Sequence, residues 1–440
     1  MPIAKLRALW RNIYDSLWFL PALFTLGAII AAELLVRADD LLPGGTDIRA
    51  LAWLFTGGPE GARGVLDAIA GSLITVTGVV FSVTVVALQL ASSQFTPRVL
   101  RSFMADRANQ LVLAVMIGTY VYSLLVMRTI RSSDDPSQEF VPAVATTFAG
   151  LLAVISIGFL IYYIDHAARS LQVDTIMSAV TREALDTIRE EYPDLLGDTP
   201  DGTGRDDEED VAFPDGPRTR VFATGAGFLT AVDEGRLLDV SRNAGCAVRM
   251  DVQVGDYVYP GTLLATLASD ADEALVDKAR GAFATGASRT PHQDVRLAVV
   301  ELVDIAAKAL SPGVNDPTTA MNSIDRMGEL LLELGKRRRP RMRSAEDGAT
   351  IHTNLPGFDD FTRLAFEQIA RYAAGQVTVS ERMVNVIGSV GGMLPSSRRA
   401  ALRRLLTELE PVLMHPLQLQ GDRDAVHVAL ARAERNLTPG

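Results

Sequence analysis

Gly71, Thr75, Gly78, Ser82, Gln89 and Ser93 lie inside the long apolar run Ala68 to Gln94, spaced four, three, four, seven and four residues apart. On a helix that spacing collects them on one stripe. Hydroxyls, an amide and bare backbone at membrane depth support one of two kinds of chemistry. They form a packing seam, because small residues let membrane helices approach and hydroxyls bond across to a neighbour. Or they line a water-filled path, because polar groups in a span face a bundle interior or a cavity. On the second reading Thr75, Gly78, Ser82, Gln89 and Ser93 face the path, and Val79 and Val86 form apolar constrictions in it. Arg98 and Arg101 follow the run; they bias the path toward anions if they face it, and anchor the helix if they point to headgroups. Other faces of the run carry Ile74, Val76, Phe81, Val83 and Val85.

A second polar grouping falls in SPGVNDPTTA, residues 311 to 320. Pro312 and Gly313 end one helix, and Asp316 followed by Pro317 starts the next, an N-cap acid with proline at the first helical position. The stretch reads as a tight helix corner, or as a small polar pocket built by backbone amides with Ser311, Gly313, Asn315 and Asp316.

Enzymatic chemistry finds little support. There is no P-loop, dinucleotide fingerprint, G-x-S-x-G elbow or H-E-x-x-H. His166, His292, His352, His415 and His427 are scattered without ligand spacing. Cys246 is the only cysteine, so neither a disulfide framework nor a cysteine metal cluster is expected. The net charge of −11 disfavours nucleic acid as a partner. The expectation is a non-enzyme with no catalytic residue, metal or cofactor.

The elements that would position these residues begin with membrane helices. A spanning helix takes roughly 20 mostly apolar residues, and four stretches qualify, near residues 17–36, 68–93, 110–127 and 141–164. Residues 1 to about 16 read as a short amphipathic helix at the headgroups. Arg37 to Asp67 reads as a connector, being rich in Gly, Asp and Pro. Lys5, Arg7 and Arg11 before the first span, with Arg98, Arg101 and Arg107 after the second, place both termini in the cytoplasm. The fourth span continues as a helix past the membrane, with His166 as an interfacial residue. Residues 194 to 210 form an acidic connector.

Alternating runs with Gly and Asp turns from Thr219 to about Ser269 predict a small β module. GAGFLTAVDEGRLLDV followed by VQVGDYVYPGTLLATL is similar to the barrel-sandwich hybrid of biotinyl and lipoyl carriers. No lysine lies between Thr219 and Asp277 to hold a cofactor, which leaves contact or sensing as its role. Amphipathic helices follow to the C-terminus, and the basic run Lys336 to Arg343 reads as a solvated or headgroup-facing loop.

Three stretches together resemble one bacterial family of predicted membrane proteins, domain-of-unknown-function family 2254. They are TVTGVVFSVTVVALQLASSQFTPRVLRSF at 75–103, GDYVYPGTLLA at 255–265 and DIAAKALSPGVNDPTTA at 304–320. The resemblance implies a multi-span inner-membrane protein with a cytoplasmic domain, and supplies no established activity.

The expected architecture is a four-helix transmembrane domain at 1–170, a helical extension and acidic loop at 171–215, a β module at 216–270 and a helical domain at 271–440, an α+β region on the cytoplasmic side. The expected function is an oligomeric channel for ions or small solutes in the bacterial inner membrane, its pore lined by the second span. The other reading is a membrane-anchored scaffold or sensor whose cytoplasmic domain binds a partner. The expected partners are the lipid bilayer, further copies of the chain and the permeant.

Overall fold

The computed structural model describes residues 16, 18–41, 55, 57–94, 106–132, 139–170, 172–193, 212–345 and 347–438, the side chains of 90–94 and 170 excepted. The N-terminal amphipathic segment (apart from residue 16) and the acidic connector lie outside the described residues. The chain divides into two compact units, one within Arg7–Gln172 and one within Val173–Gly440.

Among its described residues the first unit contains four helices long and apolar enough to cross a membrane. They are α1 (Phe19–Leu41), α2 (Pro59–Gln94), α3 (Arg107–Thr129) and α4 (Ala143–Ser170). Helix α2 starts more than two turns before Ala68, so much of the expected connector is helical. Its composition reads as a loop, but Pro59 at the first helical position and Glu60 in the first turn are start signals. Helix α3 is enclosed by the other three and buries Val112, Ala114, Met116, Tyr122 and Val126. Gly118 lets α1 come close: a Cβ there would sit 3.5 Å from the Phe24 carbonyl oxygen. Asp106 caps α3 by accepting from the Ala108 amide at 2.9 Å. The expected run-on of the fourth span is two helices, because α4 ends at Ser170 and α5 (Val173–Glu191) begins separately.

The second unit combines a β region with a helical region. The β region comprises β1 (Thr219–Phe222), β2 (Gly227–Val232), α6 (Glu234–Ala244), β3 (Val248–Met250), β4 (Tyr257–Val258), β5 (Leu263–Leu267), α7 (Glu273–Arg280) and β6 (Phe283–Gly286). The helical region has α8 (Val295–Ala309), α9 (Pro317–Gly335), a hairpin β7 (Met342–Ser344) and β8 (Thr350–His352), then α10 (Phe358–Tyr372), α11 (Val377–Gly392), α12 (Ser396–Met414) and α13 (Gln420–Leu437). Among the described residues two sheets form, in the orders β1-β5-β3-β8-β7 and β4-β2-β6. All pairings are antiparallel except β3 with β8. Strands β6, β7 and β8 come from beyond the alternating pattern that ends near Ser269. The β region buries Val221, Leu229, Val248, Val258, Leu267 and Ile351 in one core. Helices α5 and α8–α13 bury another, with Ile188, Leu302, Ile324, Phe361, Phe366 and Ile387.

The basic run is held against the protein instead of lying on a solvated loop. Arg337 donates to the Tyr192 carbonyl at 2.7 Å, which satisfies the C-terminal end of α5. Arg343 forms ion pairs with Glu191 at 2.9 Å and with Glu234 at 3.0 Å.

Candidate functional site

Helix α2 has two opposite faces. One buries Ala62, Leu66, Ala70, Leu73, Thr77, Val80, Thr84 and Ala87, spaced by fours and threes, and packs on α3 and α4. At 100° per residue, the centre of the opposite face falls on Glu60, Gly64, Asp67, Gly71, Thr75, Gly78, Ser82, Val85 and Gln89, all within an arc of about 80°. All of them are exposed. A Cβ on Gly64, Gly71 or Gly78 would meet no atom within 4 Å, so no packing among the described residues requires these glycines.

The structure therefore brings Thr75, Gly78, Ser82 and Gln89 onto one open strip. The Thr75 hydroxyl donates to its own helix at the Gly71 carbonyl, 2.9 Å away. Among the described residues, the Ser82 hydroxyl and the Gln89 amide make no hydrogen bond. Val79 and Val86 are 59% and 54% exposed, but lie about 60–80° round from the strip's centre. The Ser93 side chain, Arg98 and Arg101 lie outside the described residues. Sequence reading missed Glu60, Gly64 and Asp67, which extend the strip backwards with the same period. The signal was that period itself, continued through residues taken for a loop.

The hydroxyls that α2 does bury are bonded. Thr84 meets the Tyr163 hydroxyl at 2.7 Å, and Thr77 donates to the Leu73 carbonyl at 2.7 Å. Elsewhere in the bundle Thr119 meets Ser156 at 3.1 Å, and Tyr122 donates to the Ala145 carbonyl at 2.9 Å. Asp39 accepts from the Val144 and Ala145 amides at 3.0 and 2.9 Å, closing the N-terminus of α4. His166 stacks on Tyr162 and contacts Asp106 at 2.5 Å. The interior of the first unit thus joins its helices through polar contacts, while the strip on α2 has no partner on another element among the described residues.

The grouping at Ser311, Gly313, Asn315 and Asp316 is a helix corner between α8 and α9. Ser311 donates its hydroxyl to the Lys308 carbonyl at 2.7 Å. The amides of Asn315 and Asp316 donate to the carbonyls of Ser311 and Ala309 at 2.9 and 2.8 Å. Asp316 accepts from the Thr319 hydroxyl at 2.7 Å and its amide at 3.1 Å, and those bonds hold its carboxyl below the usual carboxylate range. Gly313 faces open space. Asn315 also accepts from the Gln376 side-chain amide at 3.2 Å; the other hydrogen bonds here are those of capping, and these backbone amides donate to nearby carbonyls.

Beside the Arg343 bridge, burial raises the carboxyls of Glu191 and Glu234, and the Arg343 charge opposes it. Burial also raises Glu183, which lines a small cleft between α5 and α8 with Asp294 and Glu301. Asp294 is committed to Arg289, bonded at 2.8 and 2.9 Å.

Residues 14–389 match the family described as predicted membrane protein, DUF2254. An uncharacterized protein of Mycobacterium bovis and another of Mycobacterium tuberculosis are each 32% identical over 391 residues, covering 86% of this chain and 73% of theirs. No solved structure matches the chain.

Proposed function

The chain belongs to the DUF2254 family of predicted membrane proteins, and we propose that several copies assemble around the strip on α2 to form a small polar pore. One observation carries this reading. A helix apolar enough to span a membrane presents Gly64, Gly71, Thr75, Gly78, Ser82 and Gln89 opposite its buried face, where no other part of the described chain covers them. Left in hydrocarbon, unbonded polar groups cost several kcal/mol each. Further copies and the water between them remove that cost.

In such an assembly Thr75, Ser82 and Gln89 face the axis, and Gly64, Gly71 and Gly78 allow close approach. Val85 supplies the apolar ring within the strip, while Val79 and Val86 sit where neighbouring helices meet. The assembly lies in the inner membrane with both termini in the cytoplasm. The second unit, its β region arranged as a barrel-sandwich hybrid, adjusts opening by contact or sensing and performs no catalysis.

The test is ion flux through the purified protein in liposomes, beside Gln89→Leu. The pore reading expects flux that changes in the variant at unchanged oligomer mass. An assembled oligomer that passes no ion across varied salt, voltage and pH, or a variant that first loses assembly, favours the membrane-anchored scaffold or sensor.

A further inference from the structure

We infer that one end of the β region docks on the lipid bilayer through two neighbouring turns, residues 224–226 and 259–261. The occupant is the membrane that holds the first unit, and the inference is independent of the pore. Backbone hydrogen bonds set the two turns side by side. The Gly261 amide donates to the Ala223 carbonyl and the Ala223 amide to the Thr262 carbonyl, both at 2.9 Å, and Gly227 pairs with Val258. Every residue of both turns is exposed. The second turn holds its own shape: the Tyr259 amide donates to the Thr262 hydroxyl at 2.9 Å, and Gly261 supplies a φ of 90° that suits glycine. Little ordering is then needed on contact.

Aromatic rings gather around these turns. Tyr259, Tyr257 and Phe222 are 64%, 45% and 42% exposed, and the Tyr257 ring lies 5.0 Å from the rings of both Tyr259 and Phe228. Among the described residues of the second unit, Tyr372 is the one other aromatic so exposed. Charge is missing from the same stretches. The chain is 22% charged, yet residues 221–232 and 257–269 contain no Asp, Glu, Lys or Arg. An exposed apolar patch of this kind marks a protein or a membrane contact.

Four features select the membrane. The hydroxyls of Tyr257 and Tyr259 make no hydrogen bond among the described residues, and a ring with a free hydroxyl suits the boundary between lipid tails and headgroups. Arg220 shares the exposed side of β1 with Phe222. Among the described residues it has neither an ion pair nor a hydrogen bond, which leaves a cation at the rim for a lipid phosphate. Strand β4 is an edge of two residues, too short for a partner chain to extend the sheet. Finally, α4 ends at Ser170 and α5 starts at Val173, so a link of two residues joins the second unit to a membrane helix and keeps a bilayer within reach.

The experiment is reagent access to a nitroxide at Tyr259→Cys, in a Cys246→Ser background of the full chain, in nanodiscs containing phosphatidylglycerol. Tyr372→Cys is the water-exposed control. Oxygen, which concentrates in lipid, should relax the label at 259 strongly, and a water-soluble nickel chelate should reach it several-fold less than at 372. Thr224→Cys should repeat the pattern from the other turn, and Tyr257→Ser with Tyr259→Ser should raise nickel access at 224 several-fold. Equal nickel access at 259 and 372 overturns the docking. Exclusion of both reagents from 259 and 224 also overturns it, and marks a protein contact in place of lipid.

Discussion

The second and fourth membrane helices have similar lengths and hydropathy, and each lends one face to α3. They differ in what they leave outside. The open face of α4 shows Leu151, Val154, Ile155, Ile157, Gly158, Ile161, Tyr162 and Ile164, a surface suited to lipid tails. The open face of α2 centres on two carboxylates, three glycines, two hydroxyls, one valine and an amide. Average hydropathy establishes only that a helix belongs in a membrane. The composition of the face left uncovered tells what it expects to meet there.

The largest effect expected from breaking this contrast comes from adding bulk. Gly71→Leu with Gly78→Leu fills the strip at two successive heptad positions and should abolish both the oligomer and its flux. Gly158→Leu on α4 should leave both unchanged. Native mass spectrometry and liposome flux read the two outcomes, and equal effects on the two helices would remove the distinction.

Polarity gives the next test. Ser82→Leu should keep assembly and change flux several-fold. Ile157→Gln on α4 puts an unbonded amide against lipid and should lower stability by about 2 kcal/mol, seen as a lower thermal midpoint with flux unchanged at equal protein.

The contrast also requires that interior contacts act on folding alone. Asp39→Ala leaves two amides at the start of α4 without their acceptor, and should cost about 1–2 kcal/mol. The oligomer mass of the folded fraction should not change.

The smallest effect is a control in the second unit. Because burial raises Glu183, its folded state binds a proton more tightly than its unfolded state. Wild-type stability should therefore rise as pH falls from neutrality through the raised value toward the ordinary glutamate range. Glu183→Gln should be more stable at neutral pH by at most roughly a few tenths of a kcal/mol, since the residue is exposed at the rim of the cleft. That advantage should shrink on acidification. Denaturation midpoints across pH check the sign, and flux should be unaffected.

Much of this organisation is legible in the sequence. The four spans follow from length and hydropathy alone. The stripe on α2 follows from helical spacing, but only from Ala68 onward, because Gly57, Gly58 and Pro59 carry turn chemistry that masks the helix start. Periodicity also leaves two stripes on α2: Thr77 and Thr84 are seven apart, as are Thr75 and Ser82. Only packing decides that the first pair is buried and the second exposed. The contact of Asp106 with His166 and the parallel pairing of β3 with β8 join positions far apart in the chain. Local patterns carry no record of such contacts. The arginine run read as solvated for the same reason, since its acceptors, the Tyr192 carbonyl and Glu191, lie far upstream.

The most direct measurement is disulfide trapping between copies in membranes, in a Cys246→Ser background, comparing Ser82→Cys with Ile157→Cys. Cross-linked dimers from Ser82→Cys and none from Ile157→Cys are predicted. Cross-links at Ile157→Cys with none at Ser82→Cys would place the interface on α4 and contradict an assembly centred on the second span.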